Sequence, residues 1–401
     1  MAILQRNEDF RYRHLDGLRG VASVIVVIFH TILCFDRAIV SGAPIEAHFG
    51  WEINFAGAPF VFFTRGGLPV MIFFVLSGYV ISKFLIRVDV NLLFLVLRRY
   101  IRLGLPILVT TIFSYILFLI AFEPNLAQLT KSTWLTTIYQ QEASLPAALA
   151  EGTYGALLGL VPQPLSYNPS LWTMAIEFAG SLLLFAIFRA TRFVGGDPYT
   201  RPNLRTYIFL LLAIALSFSY LGLFACGAFL ACNPRAKPIG SLTASALLAL
   251  GFLFGSVPWS AYPWWGIDFA IPMFALPYVL PFPIKNIVDI YSAIAAIIIF
   301  VTVLNYGPAQ RLLSARPFTF LGELSFPLYL IHVPLLISST AKCALALHAW
   351  GMPYSVVMAA AMVVQIGTSL TAAWILLLIC EGPAISLSRV FTKSEITSTS
   401  S

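Results

Sequence analysis

The chain has 401 residues, 59% of them hydrophobic and only 10% charged, with a formal net charge of +7. Soluble domains carry roughly 25% charged residues, so this composition, with a mean hydropathy of +0.87, excludes a water-soluble globule and predicts a multi-pass membrane protein. The length holds about ten spans of ~20 residues with their loops and leaves little room for a separate soluble domain.

The N-terminal stretch MAILQRNEDFRYRHLDGLRG is charged and lacks the short apolar core of a signal peptide. The first apolar run is therefore expected to be a membrane helix. Apolar segments then fall at roughly 20–38, 68–86, 103–122, 170–188, 206–218, 219–234, 241–257, 288–304, 317–338 and 355–379. The fifth and sixth nearly abut and read as a tight helical hairpin or one bent element. The stretch 268–284 is also apolar but contains four prolines, which break regular helices, so it reads as an external or re-entrant segment. Two connections are long, 39–67 and 123–169, and the second carries Glu123, Glu142 and Glu151 against Lys131. With the aromatic stretch 259–267 they are placed to cover a site at the outer face, or to form an interfacial aromatic belt. Asn168 is followed by proline, so no glycosylation acceptor arises there. The five cysteines match no zinc spacing and are expected to be buried free thiols.

Basic residues decide the topology. With the N-terminus in the cytoplasm, the inner segments hold Arg6, Arg11, Arg13 and Arg19; Lys83, Arg87, Arg98, Arg99 and Arg102; Arg189, Arg192, Arg201 and Arg205; then Arg235 with Lys237, Arg311 with Arg316, and Arg389 with Lys393. Only Arg37, Arg65, Lys131, Lys285 and Lys342 remain outside. An eleven-span arrangement would move Arg311 and Arg316 outside. The expected fold is an all-α polytopic membrane helix bundle with about ten transmembrane helices and both termini cytoplasmic. It forms a single transmembrane domain over residues 1–390, with a polar disordered tail at 391–401.

Ionisable groups inside a membrane are costly and carry a functional hypothesis by default. Three lie deep: His30 in the first span, Glu177 in the fourth and His332 in the ninth. Arg19 and His30 are eleven positions apart, three helical turns and ~20°, so they share one face at an axial distance of ~16 Å. Arg19 then marks the cytoplasmic boundary and His30 the bilayer middle, where a neutral imidazole serves either as a proton acceptor or as a hydrogen-bonded packing residue. Arg98, Arg99 and Arg102 stand where the third span leaves the cytoplasm, with Arg99 and Arg102 on one face. They suit phosphate by charge and bidentate geometry, or simply anchor topology. Glu177 is expected about 10 Å in from the outer surface, orienting an imidazole or paired with an arginine. No metal site is read from the sequence.

The segments LDGLRGVASVIVVIFH (15–30), FFVLSGYVI (73–81), RRYIRLGLP (98–106), SLWTMAIEF (170–178) and GELSFPLYLIH (322–332) occur in that order. Together they resemble the acyltransferase-3 family of membrane O-acyltransferases over residues 10–390. The resemblance implies a ten-helix enzyme moving an acyl group, acetyl in the first instance, from cytosolic acyl-coenzyme A to a hydroxyl. The acceptor would be a carbohydrate, glycolipid or secondary metabolite. Acyl-coenzyme A is then a co-substrate rather than a bound cofactor, and no nucleic acid is involved. His30 is implied as the catalytic base with Arg19 beside it, and the arginines of the third helix as contacts to coenzyme A phosphates. The chain departs from the family where Glu177 is followed by Phe178, Ala179 and Gly180 instead of an acidic residue or Gln and then Phe-Tyr. The lack of a further domain after the tenth helix favours a small or lipidic acceptor. A secondary transporter or lipid flippase using the intramembrane His and Glu is the competing reading.

Overall fold

The computed structural model describes residues 12–59, 61–87, 91–123, 125–194, 202–233, 238–257, 280–284 and 286–384. Within them all regular secondary structure is helical, apart from one isolated bridge between Ser219 and Pro283. The apolar runs become α1 (Arg13–Phe35), α2 (Gly67–Leu85), α3 (Leu92–Ala121), α4 (Trp172–Ala190), α5 (Leu204–Ala215), α6 (Tyr220–Cys232), α7 (Ser241–Phe254), α8 (Ile287–Asn305), α9 (Arg316–Leu335) and α10 (Tyr354–Leu376). Seven of these, with their direct extensions, are long and apolar enough to cross a membrane: α1–α4 and α8–α10. α5, α6 and α7 have 12, 13 and 14 residues. At 1.5 Å per residue they reach only ~18–21 Å, short of the ~30 Å hydrocarbon core. All ten expected apolar segments are thus helical, but seven have spanning length.

α5 and α6 form the hairpin alternative: Thr206 at the start of α5 donates to Cys232 O at the end of α6 (2.8 Å). The chain at 280–284 seals its tip, with Tyr220 N bonded to Phe282 O and Ile284 N to Phe218 O. The rest of the proline-rich segment, the aromatic stretch 259–267, the tail 391–401 and the basic residues Arg6, Arg11, Arg201, Arg235, Lys237, Lys285, Arg389 and Lys393 lie outside the described residues.

α1 and α9 form a tightly apposed pair in the bundle, and two sequence motifs explain why. A Cβ added at Gly20 would lie 2.5 Å from Gly322 N, and one at Gly322 would lie 2.2 Å from Asp16 O. The glycines of LDGLRG and GELS therefore bring the two backbones into direct contact. α2 meets α6 in the same way, where a Cβ on Gly78 would lie 2.3 Å from Phe224 O. Close approach through small residues is how membrane helices gain packing energy where the hydrophobic effect supplies none.

Among the described residues, both long connections are tied to the helices. In the first, the fully buried Arg65 donates to Ala56 O (2.6 Å), Val40 O (3.2 Å) and Ser256 O (3.4 Å). In the second, Ser132 donates to Leu33 O (2.7 Å), Lys131 to Ala47 O (2.9 Å) and Thr133 to Glu46 (2.7 Å), so 123–169 lies across the C-terminal end of α1. All five cysteines are free thiols.

Candidate active site

α9 contains Pro327 and Pro334. Pro334 has no N–H for Leu330 O, four residues back, and a buried carbonyl left alone costs free energy. The side chain of Asn168 fills the gap, donating Nδ2–H to Leu330 O at 2.7 Å. The same Asn168 accepts from Ser170 Oγ (2.6 Å) and Ser170 N (3.3 Å), which caps the turn leading into α4. The lead-in to α4 is thereby tied to α9 fourteen residues above its start, deep within the bundle. Nine residues further on, Glu177 meets Arg99, so these two residues share one level in the bundle.

A cavity of about 340 Å³ lies between α1, α2, α3, α4 and α9. Its polar lining includes Arg19, Ser77, Arg99, Arg102, Thr173, Glu177 and Tyr329, and its apolar lining includes Phe73, Phe74 and Phe326. Arg99 and Glu177 form an ion pair, each side chain only 13% exposed. Ser77 donates to the same Glu177 Oε1 at 2.6 Å. Arg19 pairs with Asp16 at 3.6 Å. The lining carries Asp16, Glu177 and Glu323 against Arg19, Arg99 and Arg102, so any anion recognised here is held by directed N–H groups rather than by net charge. One such group is ready: Arg99 Nε is buried without a hydrogen-bond partner among the described residues, a state that buried donors rarely keep unless a ligand completes them. Arg98 is not in this lining; its guanidinium lies 4.8 Å from the Phe84 ring centroid.

His30 also lies outside the lining, beyond Tyr329. Its ring is half-buried, 4.8 Å from the ring of the fully buried His332, 4.9 Å from Phe29 and 5.7 Å from Trp134 (centroid distances). Trp134 belongs to the 123–169 connection, which therefore covers the histidine. Tyr329 stands between cavity and histidines: its hydroxyl donates to Ser170 O and accepts from Thr173 Oγ1, both at 3.0 Å, and its carbonyl accepts from His332 Nδ1 at 2.8 Å. The structure thus gathers Arg19, Arg99, Arg102 and Glu177 around one cavity and places His30 beside His332 past its end.

Sequence reasoning missed Ser77, Asn168, Trp134 and Tyr329. For Asn168 a signal existed, an Asn-Pro step ahead of a helix with a proline inside a later helix. For Trp134 none did.

The sequence pattern of the acyltransferase-3 family, described as an acyltransferase domain, matches residues 12–378. A similar curated protein is the O-acetyltransferase PaAT-1 of Phomopsis amygdali, 26% identical over 386 residues, covering 80% of this chain and 71% of that protein. No solved structure matches the chain. The ordered motifs, the apolar helices and the family match over residues 12–378 agree: the chain belongs to the acyltransferase-3 family and is a multi-pass membrane acyltransferase.

Proposed function

We propose that the protein is an O-acyltransferase that moves an acetyl group from acetyl-coenzyme A to a hydroxyl of a carbohydrate, glycolipid or secondary metabolite. It works in a ten-crossing arrangement with both termini in the cytoplasm. The observation that carries the reading is the single unbroken helix α1, which puts Arg19 in the arginine-lined cavity and His30 three turns further on the same face. Arg19, Arg99 and Arg102 hold the donor's phosphates from the cytoplasmic side, and Glu177 with Ser77 positions Arg99. The similarity to an O-acetyltransferase supports acetyl as the group and oxygen as its acceptor.

In the reaction the acceptor hydroxyl attacks the thioester carbonyl while His30 Nε2 takes its proton. The C–S bond then breaks and the coenzyme A thiolate leaves, regaining a proton from the imidazolium. General-base catalysis of this kind contributes ~10²–10⁴-fold. The experiment is release of free thiol from acetyl-coenzyme A by purified protein given candidate acceptors. His30→Ala should remove acceptor-dependent release by about that factor while the protein stays folded. Movement of an acceptor across vesicles with no thiol released at any acceptor would establish a transporter instead.

A further inference from the structure

We propose that His332 is the positioning residue for His30: its ring nitrogen accepts the His30 Nδ1 proton, fixes the tautomer that leaves His30 Nε2 bare, and stabilises the imidazolium formed during transfer. The inference rests on the proposed role of His30 as base and adds the group that sets it.

The geometry follows from which atoms can donate. His30 Nδ1 lies 3.0 Å from Val26 O, one turn back on α1. A carbonyl only accepts, so His30 Nδ1 carries hydrogen. His332 Nδ1 lies 2.8 Å from Tyr329 O, so it carries hydrogen too. In the neutral ring His332 Nε2 is then a lone pair, and it faces His30 Nδ1 at 3.2 Å. The His30 N–H is shared between Val26 O and His332 Nε2. The opposite polarity would need His332 charged in a fully buried position and would set the His30 lone pair against the Val26 carbonyl. His30 Nε2 has no partner among the described residues, and on the half-buried ring it is the nitrogen left to take a proton. Both His332 nitrogens are engaged, so His332 is not the nitrogen free to take the acceptor proton.

His332 is itself fixed from α10. Gln365 donates to His332 O (2.8 Å) and accepts from Thr340 Oγ1 (2.7 Å), and the histidine side chain is wholly buried. Each imidazole thus has its orientation set by backbone carbonyls of its own helix, and the pair is set by the glycine contact between α1 and α9. A second group that holds the base in the right tautomer and shares its developing charge is the logic of a catalytic triad, with imidazole in the place of the carboxylate.

The test has two arms. Magic-angle-spinning NMR of histidine-labelled protein, with His30 identified by its loss in His30→Ala, should show wild-type His30 protonated at Nδ1 and bare at Nε2. A His30 protonated at Nε2 overturns the proposal, and this arm needs no His332 variant to fold. In the second arm, His332→Leu, which cannot accept, should lower kcat by ~10²-fold or more with KM for acetyl-coenzyme A unchanged. His332→Gln, whose amide oxygen can reach the same point, should recover at least about tenfold of that loss. Wild-type kcat in His332→Leu, or Gln no better than Leu, overturns the proposal. His30→Ala inactive beside a fully active His332→Leu sinks this inference alone, whereas an active His30→Ala sinks the reading of His30 as base.

Discussion

The Arg99–Glu177–Ser77 cluster is where single atoms decide most. Glu177 accepts from Arg99 and Ser77 through one oxygen, which aims the guanidinium and leaves Arg99 Nε uncommitted. Arg99→Lys keeps the charge but loses the planar fork. It should raise KM for acetyl-coenzyme A by about tenfold, the worth of roughly one charge-assisted hydrogen bond, with KM for the acceptor unmoved. An unchanged donor KM would make Arg99 a topology anchor. At the far end of α1, Asp36 is 1% exposed and neither of its carboxylate oxygens has a partner among the described residues. Burial, reinforced by the charge of Glu52, raises its pKa to about 7 from the usual 3.8. The folded state therefore binds a proton that the unfolded chain releases between these values. Stability falls as pH rises through that window and is flat above it. Asp36→Asn should be nearly neutral at pH 4 and stabilise by ~1–3 kcal/mol at pH 8, read as a larger gain in Tm at the higher pH.

At the scale of elements, the lead-in to α4 is held against α9 by Asn168, which answers the missing N–H of Pro334. Asn168→Ala should cost ~1–3 kcal/mol by stranding Leu330 O. Pro334→Ala restores an N–H four residues on, so the same Asn168→Ala should cost less in that background. Equal costs in both backgrounds, measured by thermal unfolding in detergent, would show that the asparagine acts only as a cap for α4. The α1–α9 contact is the second device. Gly322→Ala would put a methyl group 2.2 Å from a backbone oxygen, and no side chain can move to relieve it. It should destabilise by ~1–3 kcal/mol and lower activity as well, because the two histidines ride on the separated helices.

For the whole molecule, the helices were legible because hydropathy is local: each of the ten expected helical runs is helical, and the Arg19–His30 face follows from 3.6-residue geometry alone. What was not legible joins distant parts of the chain. His30 and His332 are 302 positions apart, and Asn168 and Leu330 are 162 apart; no local periodicity encodes either meeting. The meeting of Glu177 with Arg99, 78 positions away, is of the same kind. Orientation rests on the asymmetry of basic residues, and it is directly testable. A thiol introduced at Gln140, in a background lacking the five native cysteines, should be labelled by an impermeant reagent from outside intact cells. Labelling only after the cytoplasmic side is opened would invert the arrangement.

The continuity of α1 also makes the helix a ruler. Arg19 and His30 are graduations on one rod whose zero is fixed by Gly20 against Gly322, so under the proposed roles the span between phosphate grip and base is set at ~16 Å by the helical rise. A thioester donor bound as proposed would be measured by its length between charge and thioester before its acyl group is felt at all. Four alanines inserted between Val24 and Ile25 would lengthen the rod by ~6 Å and turn His30 by only ~40°. The base would still be present on nearly the same face, and the enzyme would be calibrated for a donor that does not exist.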